Sequence, residues 1–360
     1  VELKAATFDS VFSSELEEAY SYVDRLGLEF CFHVVRELQL FAGDRVSPSP
    51  RVAPEAEYLL GTVLDILAEE GYVARESDAW RVCRSCPDDS AADLQREARE
   101  RCPGAEPILE LLNRCHQHAP AFLSGRQPGL NVVFPRGDMR LWERVHREDL
   151  VMSLYADLIP PCLPQVLAGG AARILEVGAG VGGVLQRCLR VLEQHGIEEY
   201  WFTDLGKLFV DRMERHQAGR PFMRFAVIDL DVPLAEQGIA PASFDAIIGV
   251  NVLHSARNLL FTLRELRWGL RKGGRLILGE GSPPRRGRRW RLDIVFAFLR
   301  GWWDVQLDAR FRPRPGFLFP SEWLECARAS GYCDAQALPG EAWFSGPCRG
   351  GLLIARKGDE

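Results

Sequence analysis

The sequence predicts a two-part chain: a helical N-terminal region followed by an α/β region built on a mostly parallel sheet. Three observations carry this. Up to about residue 160, apolar residues recur at helical spacing, as at Leu16, Tyr20, Val23 and Leu26. From Arg173 onward, short apolar runs of strand length alternate with amphipathic helical stretches, the order that builds a parallel sheet with helices on both faces. A glycine-rich run, Gly178-Ala179-Gly180-Val181-Gly182-Gly183, directly follows the first of those strands.

In the first part, helices are expected over Ser14 to Phe41, Glu55 to Gly71, Ala91 to Arg101 and Pro107 to His118. Breaks are expected at Ser47-Pro48-Ser49-Pro50, Pro87-Asp88-Asp89 and Arg126-Gln127-Pro128-Gly129. No strand and no repeat stands out there. A further helical stretch runs from Asp149 to Leu167. In the second part, strands are expected at Ile174 to Val177, Glu199 to Asp204, Arg224 to Asp229, Phe244 to Gly249 and Gly274 to Gly279. Helices such as Val184 to Gln194 and Leu259 to Leu270 separate most of them, and two closing strands are expected near Tyr332 to Leu338 and Gly351 to Arg356. The expected division is a helical domain over residues 1–160 and a ligand-binding core over 161–360.

Length and composition narrow the function. A chain of 360 residues has ample length for two domains and a buried core. Its 44 basic against 50 acidic residues leave a net charge of −6, which disfavours a general nucleic-acid binder. No apolar run approaches the roughly 18–20 residues needed to span a bilayer. The start, Val1-Glu2-Leu3-Lys4, lacks both an initiator Met and a signal peptide's apolar run, so an excised piece of a longer polypeptide, in the cytoplasm, is expected. The ten cysteines are then expected as reduced thiols. Cys83, Cys86, Cys102, Cys115, His116 and His118 suggest zinc, but the second half lacks tight ligand pairing, and no metal site is expected.

The chemistry concentrates at strand ends. Glycines after a strand let the backbone approach a ligand, and the helix that follows turns its N–H groups toward the same crevice. Gly178, Gly180 and Gly183 formally fit a dinucleotide fingerprint. Glu176, just before them, argues otherwise: a carboxylate repels a pyrophosphate and favours a ligand's cation. Asp204 ends the second strand, where a carboxylate can accept two ribose hydroxyls, and Asp229 ends the third, within reach of an adenine amino group. Such acids also serve as helix N-caps; three of them in order beside a glycine loop favour a nucleoside ligand.

With these residues, Arg173 to about Arg356 resembles the class I S-adenosylmethionine-dependent methyltransferases, most closely in Leu175-Glu176-Val177-Gly178-Ala179-Gly180. The resemblance implies a Rossmann-like core whose seven-stranded, mostly parallel sheet has an antiparallel last strand. It implies S-adenosylmethionine as cofactor, held by Glu176, Gly178, Ala179, Gly180, Asp204, Leu205, Asp229, Leu230 and Asn251. A narrower set is similar to the methyltransferase domains of modular type I polyketide synthases. It comprises Phe202-Thr203-Asp204-Leu205, Asp229-Leu230-Asp231, Glu236-Gln237-Gly238-Ile239, Asn251-Val252-Leu253-His254, Gly273-Gly274 and Phe298 to Trp303. That family carries a helical lid before its core. Val133 to Gly137 and Tyr155 lie where the lid meets the core in the family. The partners it implies are an acyl carrier protein bearing a phosphopantetheine-linked polyketide and the other domains of a synthase.

Within this set, His254 follows the fourth strand and Glu280 ends the fifth. Neighbouring strands lie about 5 Å apart, so the two side chains can meet as a base and its orienting carboxylate. The resemblance assigns them the same role. Two acceptors suit such a base: a β-hydroxyl oxygen, giving an ether, or the α-carbon of a β-ketoacyl thioester. Against the carbon-methylating members of that family, a shorter lid and the surroundings Gly301 to Asp304 and Arg314 to Leu318 lean the expectation to oxygen. Tyr155, Trp302, Trp303 and Phe317 are candidates to line the substrate site, although core packing explains such aromatics equally well. Arg285, Arg286, Arg288, Arg289 and Arg291 form either a solvated loop or a docking patch for a phosphate or an acidic carrier. Two rivals stand beside these expectations: a nicotinamide-dependent dehydrogenase, and a catalytically dead scaffold domain.

Overall fold

A computed structural model describes residues 8, 11–47, 52–77, 79–87, 91–340 and 349–358. Residues 48–50 and 88–89, within two of the expected breaks, lie outside the described residues. The chain divides into two compact units: a helical unit of residues 14–151 and 286–303, and a sheet unit of residues 1–13, 152–285 and 304–360. This departs from a single cut at residue 160. Beyond residues 1–13 the sheet unit resumes at Met152, and an 18-residue excursion after the sheet strand Leu270–Gly281, residues 286–303, belongs to the helical unit.

In the helical unit, α1 (Ser14–Glu37) packs against α2 (Glu57–Glu69), α3 (Ala91–Arg101) and α4 (Glu106–Leu123). The buried stripe of α1 runs through Leu16, Tyr20, Val23, Phe30 and Val34, the spacing that read as helical. A small antiparallel sheet was not expected from the sequence: β1 (Phe41–Ala42), β2 (Arg45–Val46), β3 (Val73–Glu76) and β4 (Ala79–Val82), in the order β1-β2-β4-β3. Strands of two to four residues are too short to show a period of two.

The excursion settles the arginine run. Arg289 is buried, with its guanidinium on Asp65 at 2.9 Å and on the Tyr58 hydroxyl at 3.2 Å. Its backbone N–H donates to Glu69, Arg288 donates to the Glu69 carbonyl at 2.6 Å, and Arg291 pairs with Glu70 and Asp24. These three arginines tie their segment to α1 and α2, so they form neither a solvated loop nor a docking patch; Arg285 and Arg286 are exposed.

Among the described residues the sheet unit holds seven strands: β5 (Ala172–Val177), β6 (Ile197–Asp204), β7 (Met223–Val227), β8 (Phe244–Val250), β9 (Leu270–Gly281), β10 (Tyr332–Leu338) and β11 (Gly350–Lys357). Their order is β10-β11-β9-β8-β5-β6-β7, and β11 runs antiparallel to both its neighbours. Helices α5 (Gly183–His195), α6 (Lys207–Gln217), α7 (Leu259–Gly269) and α8 (Pro320–Ala329) flank it. Alternate strand residues serve opposite faces. Ile174, Tyr200, Phe202, Ile248 and Ile354 join one core with Leu185 and Leu192 of α5. Leu175, Val177, Ile247, Leu276 and Leu353 join another with Leu263 and Leu266 of α7 and Trp323 of α8.

The helix expected to Phe41 ends at Glu37, and the strand expected from Gly274 starts at Leu270; two further differences bear on the site. The stretch 149–167 is broken into short turns at Leu154–Asp157, Pro160–Cys162 and Leu163–Leu167, because Pro160, Pro161 and Pro164 remove backbone donors. β7 ends at Val227, so Asp229 lies in the turn beyond it rather than on the strand.

Candidate active site

The carboxyl ends of β5, β6, β8 and β9 converge on one edge of the sheet, the edge at which open α/β sheets bind ligands. The glycine loop leaves β5 there. Gly178, Gly180 and Gly182 have φ of 59°, 51° and 79°, a region that side chains other than glycine enter only with strain. At Gly178 space is limiting too: a Cβ would stand 2.2 Å from Cγ2 of Val252.

Asp204 shapes this loop. Its Oδ2 accepts the Gly180 N–H at 2.8 Å and its Oδ1 the Gly206 N–H at 2.7 Å. Burial raises its carboxyl above the ordinary value, and the two N–H groups oppose that shift. Each oxygen retains acceptor capacity for a hydroxyl. Leu205, next to it, is 65% exposed, an apolar side chain held open at the ligand edge. Asp229 folds into a local turn, its Oδ1 accepting the Asp231 N–H at 2.9 Å. Gln237 frames it, accepting the Asp229 N–H at 2.7 Å and donating to its carbonyl at 2.8 Å. Leu230 is half-buried, and its carbonyl accepts from Thr262.

Glu176 is almost fully buried, and the Tyr200 hydroxyl donates to its Oε2 at 2.7 Å. Its other oxygen has no hydrogen-bond partner among the described residues. Burial pushes the carboxyl up to about 8, partly opposed by the Tyr200 bond and reinforced by Asp204. An orphaned buried carboxylate oxygen, a left-handed glycine cradle and a carboxylate placed for hydroxyls together fit a nucleoside ligand that carries a cationic amino-acid end.

Asn251 has a structural place at this edge. It adopts φ of 50°, its amide N–H₂ donates to the Met152 carbonyl at 3.0 Å and its amide oxygen accepts the Gly281 N–H at 3.3 Å. Both ends of its amide therefore bind backbone, tying the end of β8 to the end of β9.

The paired placement of His254 and Glu280 is as expected. His254 sits in the single 3₁₀ turn Leu253–Ser255 after β8. Its Nδ1 is 2.6 Å from Oε2 of Glu280, and both residues are about 95% buried. Oε1 of Glu280 accepts the N–H groups of Val252 at 3.1 Å and Leu253 at 2.9 Å. An ionised carboxylate only accepts, so Nδ1 carries the hydrogen and Nε2 the lone pair. The Phe317 ring lies 4.8 Å from the imidazole. Beside Glu280 a small apolar hollow is lined by Ser282, Leu318, Trp323 and Leu352.

The other substrate-lining candidates are occupied in packing. Tyr155 has no exposed surface; its hydroxyl donates to the Arg349 carbonyl, its ring lies against Gly350, and its backbone and Cβ lie against Gly279. Trp302 stacks on Phe296 at 4.5 Å and Trp303 on Tyr58 at 5.9 Å within the helical unit. Among the described residues no group of three or more His, Cys, Asp or Glu is placed to hold a metal, and the cysteines are free thiols. Nor is any described helix long and apolar enough to cross a membrane.

Three residues at this site were not candidates from the sequence. Arg312 is fully buried and donates to the carbonyls of His254 and Ala256. Tyr200 reads as a strand aromatic, and Val252 as a strand-end apolar residue.

A family model described as a methyltransferase domain matches residues 175–276. Polyketide synthase ThaQ of Burkholderia thailandensis is 30% identical over 303 residues, which cover 78% of this chain and 14% of the synthase. Polyketide synthase PksR of Bacillus subtilis is 31% identical over 236 residues, 62% of this chain and 9% of the synthase. The chain thus spans a small fraction of the length of these relatives. In fold, the DszA carbon methyltransferase is similar with a TM-score of 0.82 at 24% identity, covering 96% of this chain and 93% of its own. The CMeT domain of the citrinin polyketide synthase is similar with a TM-score of 0.79 at 22% identity, covering 100% and 99%.

Fold and site together define an S-adenosylmethionine-dependent methyltransferase of class I. More narrowly, the chain belongs with the methyltransferase domains of polyketide synthases.

Proposed function

We propose that this domain methylates carbon, at the α-position of a β-ketoacyl thioester tethered to an acyl carrier protein, with His254 as the general base. The His254–Glu280 contact at 2.6 Å is the observation that carries the assignment of the base. Bound S-adenosylmethionine supplies a methyl group on a positively charged sulfur. The residues of the chain do the rest. Glu176, the loop from Gly178 to Gly180, Asp204, Leu205 and Asp229 hold that ligand at the strand ends. Nε2 of His254 takes the α-hydrogen, which the flanking carbonyls acidify, and the electron pair left on carbon becomes the nucleophile. The imidazolium that forms is balanced by Glu280, fixed in place by two backbone N–H groups. Phe317 limits water around the ring.

The earlier lean to oxygen loses its footing. It rested partly on Trp302 and Trp303, which are committed to packing in the helical unit. The likeness in fold over both units to chains titled carbon methyltransferases supports the carbon reading. The strand-end acid Glu176 disfavours the dehydrogenase, and the assembled dyad disfavours the scaffold reading. A carrier protein and the neighbouring domains of a synthase are the partners this reading names, and the free thiols suit the expected cytoplasmic setting.

The test is a His254→Ala variant assayed two ways. It should bind S-adenosylmethionine like the parent chain in calorimetry and lose methyl transfer to a β-ketoacyl carrier by on the order of 10²–10⁴-fold. Full turnover without the imidazole would overturn the assignment.

A further inference from the structure

Arg312 has no exposed surface and lies in the same unit as the dyad. Its Nη1 donates to the Ala256 carbonyl and its Nη2 to the His254 carbonyl. These carbonyls belong to one turn, and that turn carries the imidazole. The segment around Arg312 laces the same turn at other points. The Gln306 N–H donates to the Arg257 carbonyl at 2.7 Å, and the Asn258 amide donates to the Gln306 side chain at 2.8 Å. The backbone N–H and carbonyl of Arg312 pair with Asp308 at 2.8 and 2.9 Å, so the base of its side chain is itself fixed. Phe317, five residues on, lies against the imidazole.

We propose that Arg312 is a positioning residue for the general base, its planar guanidinium fork bracketing the peptide groups on both sides of the base's turn. The proposal rests on the assignment of His254 as that base. Glu280 orients the ring from the sheet side through Nδ1, while Arg312 fixes the backbone from which the ring hangs. Neither contact replaces the other. The carboxylate sets tautomer and ring rotation; the fork sets the position of the Cα. A lysine ammonium is a compact point charge and lacks the rigid planar fork that spans two carbonyls. Displacements of about 1 Å in a reacting group cost on the order of 10²-fold in rate, so a loosened turn should reach turnover before it reaches cofactor affinity.

The test compares Arg312→Lys, Arg312→Ala and His254→Ala in the intact domain. Melting temperature and calorimetric S-adenosylmethionine affinity report the fold and the cofactor site; kcat and KM for a β-ketoacyl carrier report the turn. Arg312→Lys should keep cofactor affinity and KM while kcat falls on the order of 100-fold. Added guanidinium at low millimolar concentration should restore part of kcat to Arg312→Ala and none to His254→Ala. Unchanged kcat in a folded Arg312→Lys overturns the proposal. So does a fall in kcat that tracks cofactor affinity, which marks a residue that only supports the fold. If Arg312→Ala does not fold, Arg312→Lys decides. Full activity of His254→Ala defeats the base assignment instead, whatever the Arg312 variants do.

Discussion

Glu280 holds His254 through both side chain and backbone. One carboxylate oxygen stands 2.6 Å from the imidazole Nδ1, and the other receives the N–H groups of Val252 and Leu253, the two residues before the histidine. This follows from parallel pairing of β8 with β9, in register from Ala246↔Arg275 to Val250↔Gly279. A turn leaving one strand then lies beside a side chain at the end of the other. The carboxylate sets the rotation of the ring and its tautomer, and shares with Arg312 in holding the turn.

Replacing Glu280 by Gln separates these roles. The amide oxygen can still accept from Val252 and Leu253, so the turn survives. The amide N–H₂ then faces Nδ1 and favours the tautomer with its hydrogen on Nε2, which cannot accept a proton. Steady-state assays of Glu280→Gln should show kcat lower by on the order of 10²–10⁴-fold with S-adenosylmethionine affinity retained. A loss of less than about tenfold would contradict the orienting role.

Gly178 is needed for both conformation and space, whereas Gly273 is needed for conformation alone. A Cβ at Gly178 meets Val252 at 2.2 Å; one at Gly273, φ 73°, meets nothing within 4 Å. Gly178→Ala should therefore abolish measurable cofactor binding in calorimetry and lower the melting temperature. Gly273→Ala should carry only the left-handed strain, roughly 1–2 kcal/mol, with binding intact. Equal effects of the two would sink the idea that the loop is sized by Val252.

Glu176 makes the stability of the ligand-free chain depend on pH. Its carboxyl is raised by burial to about 8 in the fold, against about 4.3 in an unfolded chain. The folded state therefore binds more protons between these values. Its stability is full below about pH 4.3 and declines as pH rises toward 8, at up to roughly 1.4 kcal/mol per pH unit. Urea unfolding of Glu176→Gln should lack this decline, so the variant gains on the parent chain as pH rises through that window. Parallel pH profiles for the two would show that Glu176 ionises normally.

In the helical unit, Arg289 anchors the excursion of residues 286–303. Its guanidinium is buried with Asp65, Tyr58 and Asp293. Arg289→Met removes the buried guanidinium that stands 3.8 Å from Asp293, itself 4% exposed. Denaturant titration should show a loss of about 3–5 kcal/mol, whereas Arg285→Met, at an exposed position, should stay within about 0.5 kcal/mol.

Most of the sheet was legible because its strands are buried apolar runs that end in acids or glycines. Ile174 to Val177 and Phe244 to Gly249 sit within β5 and β8. The dyad was legible because adjacent parallel strands bring consecutive strand ends together. What failed was the prediction of burial for polar and aromatic residues. Arg312 is enclosed while Arg310, two residues before it, is exposed; no local pattern distinguishes them. Trp302, Trp303 and Tyr155 read equally well as ligand-facing or core, and their partners, Phe296, Tyr58 and the carbonyl of Arg349, are set by tertiary packing. Asn251 matched its motif, but its left-handed backbone and its two structural bonds depend on β9 and Met152 being in place.

Mass spectrometry of the intact domain's products tests the central claim most directly. Two carrier proteins, one bearing a β-ketoacyl chain and the other a β-hydroxyacyl chain, are incubated with the domain and S-adenosylmethionine, and the released acyl groups are fragmented. The account predicts one added methyl on the β-ketoacyl chain, located by fragmentation at the α-carbon, and none on the β-hydroxyacyl chain. A methyl found only on oxygen, on either chain, would contradict it.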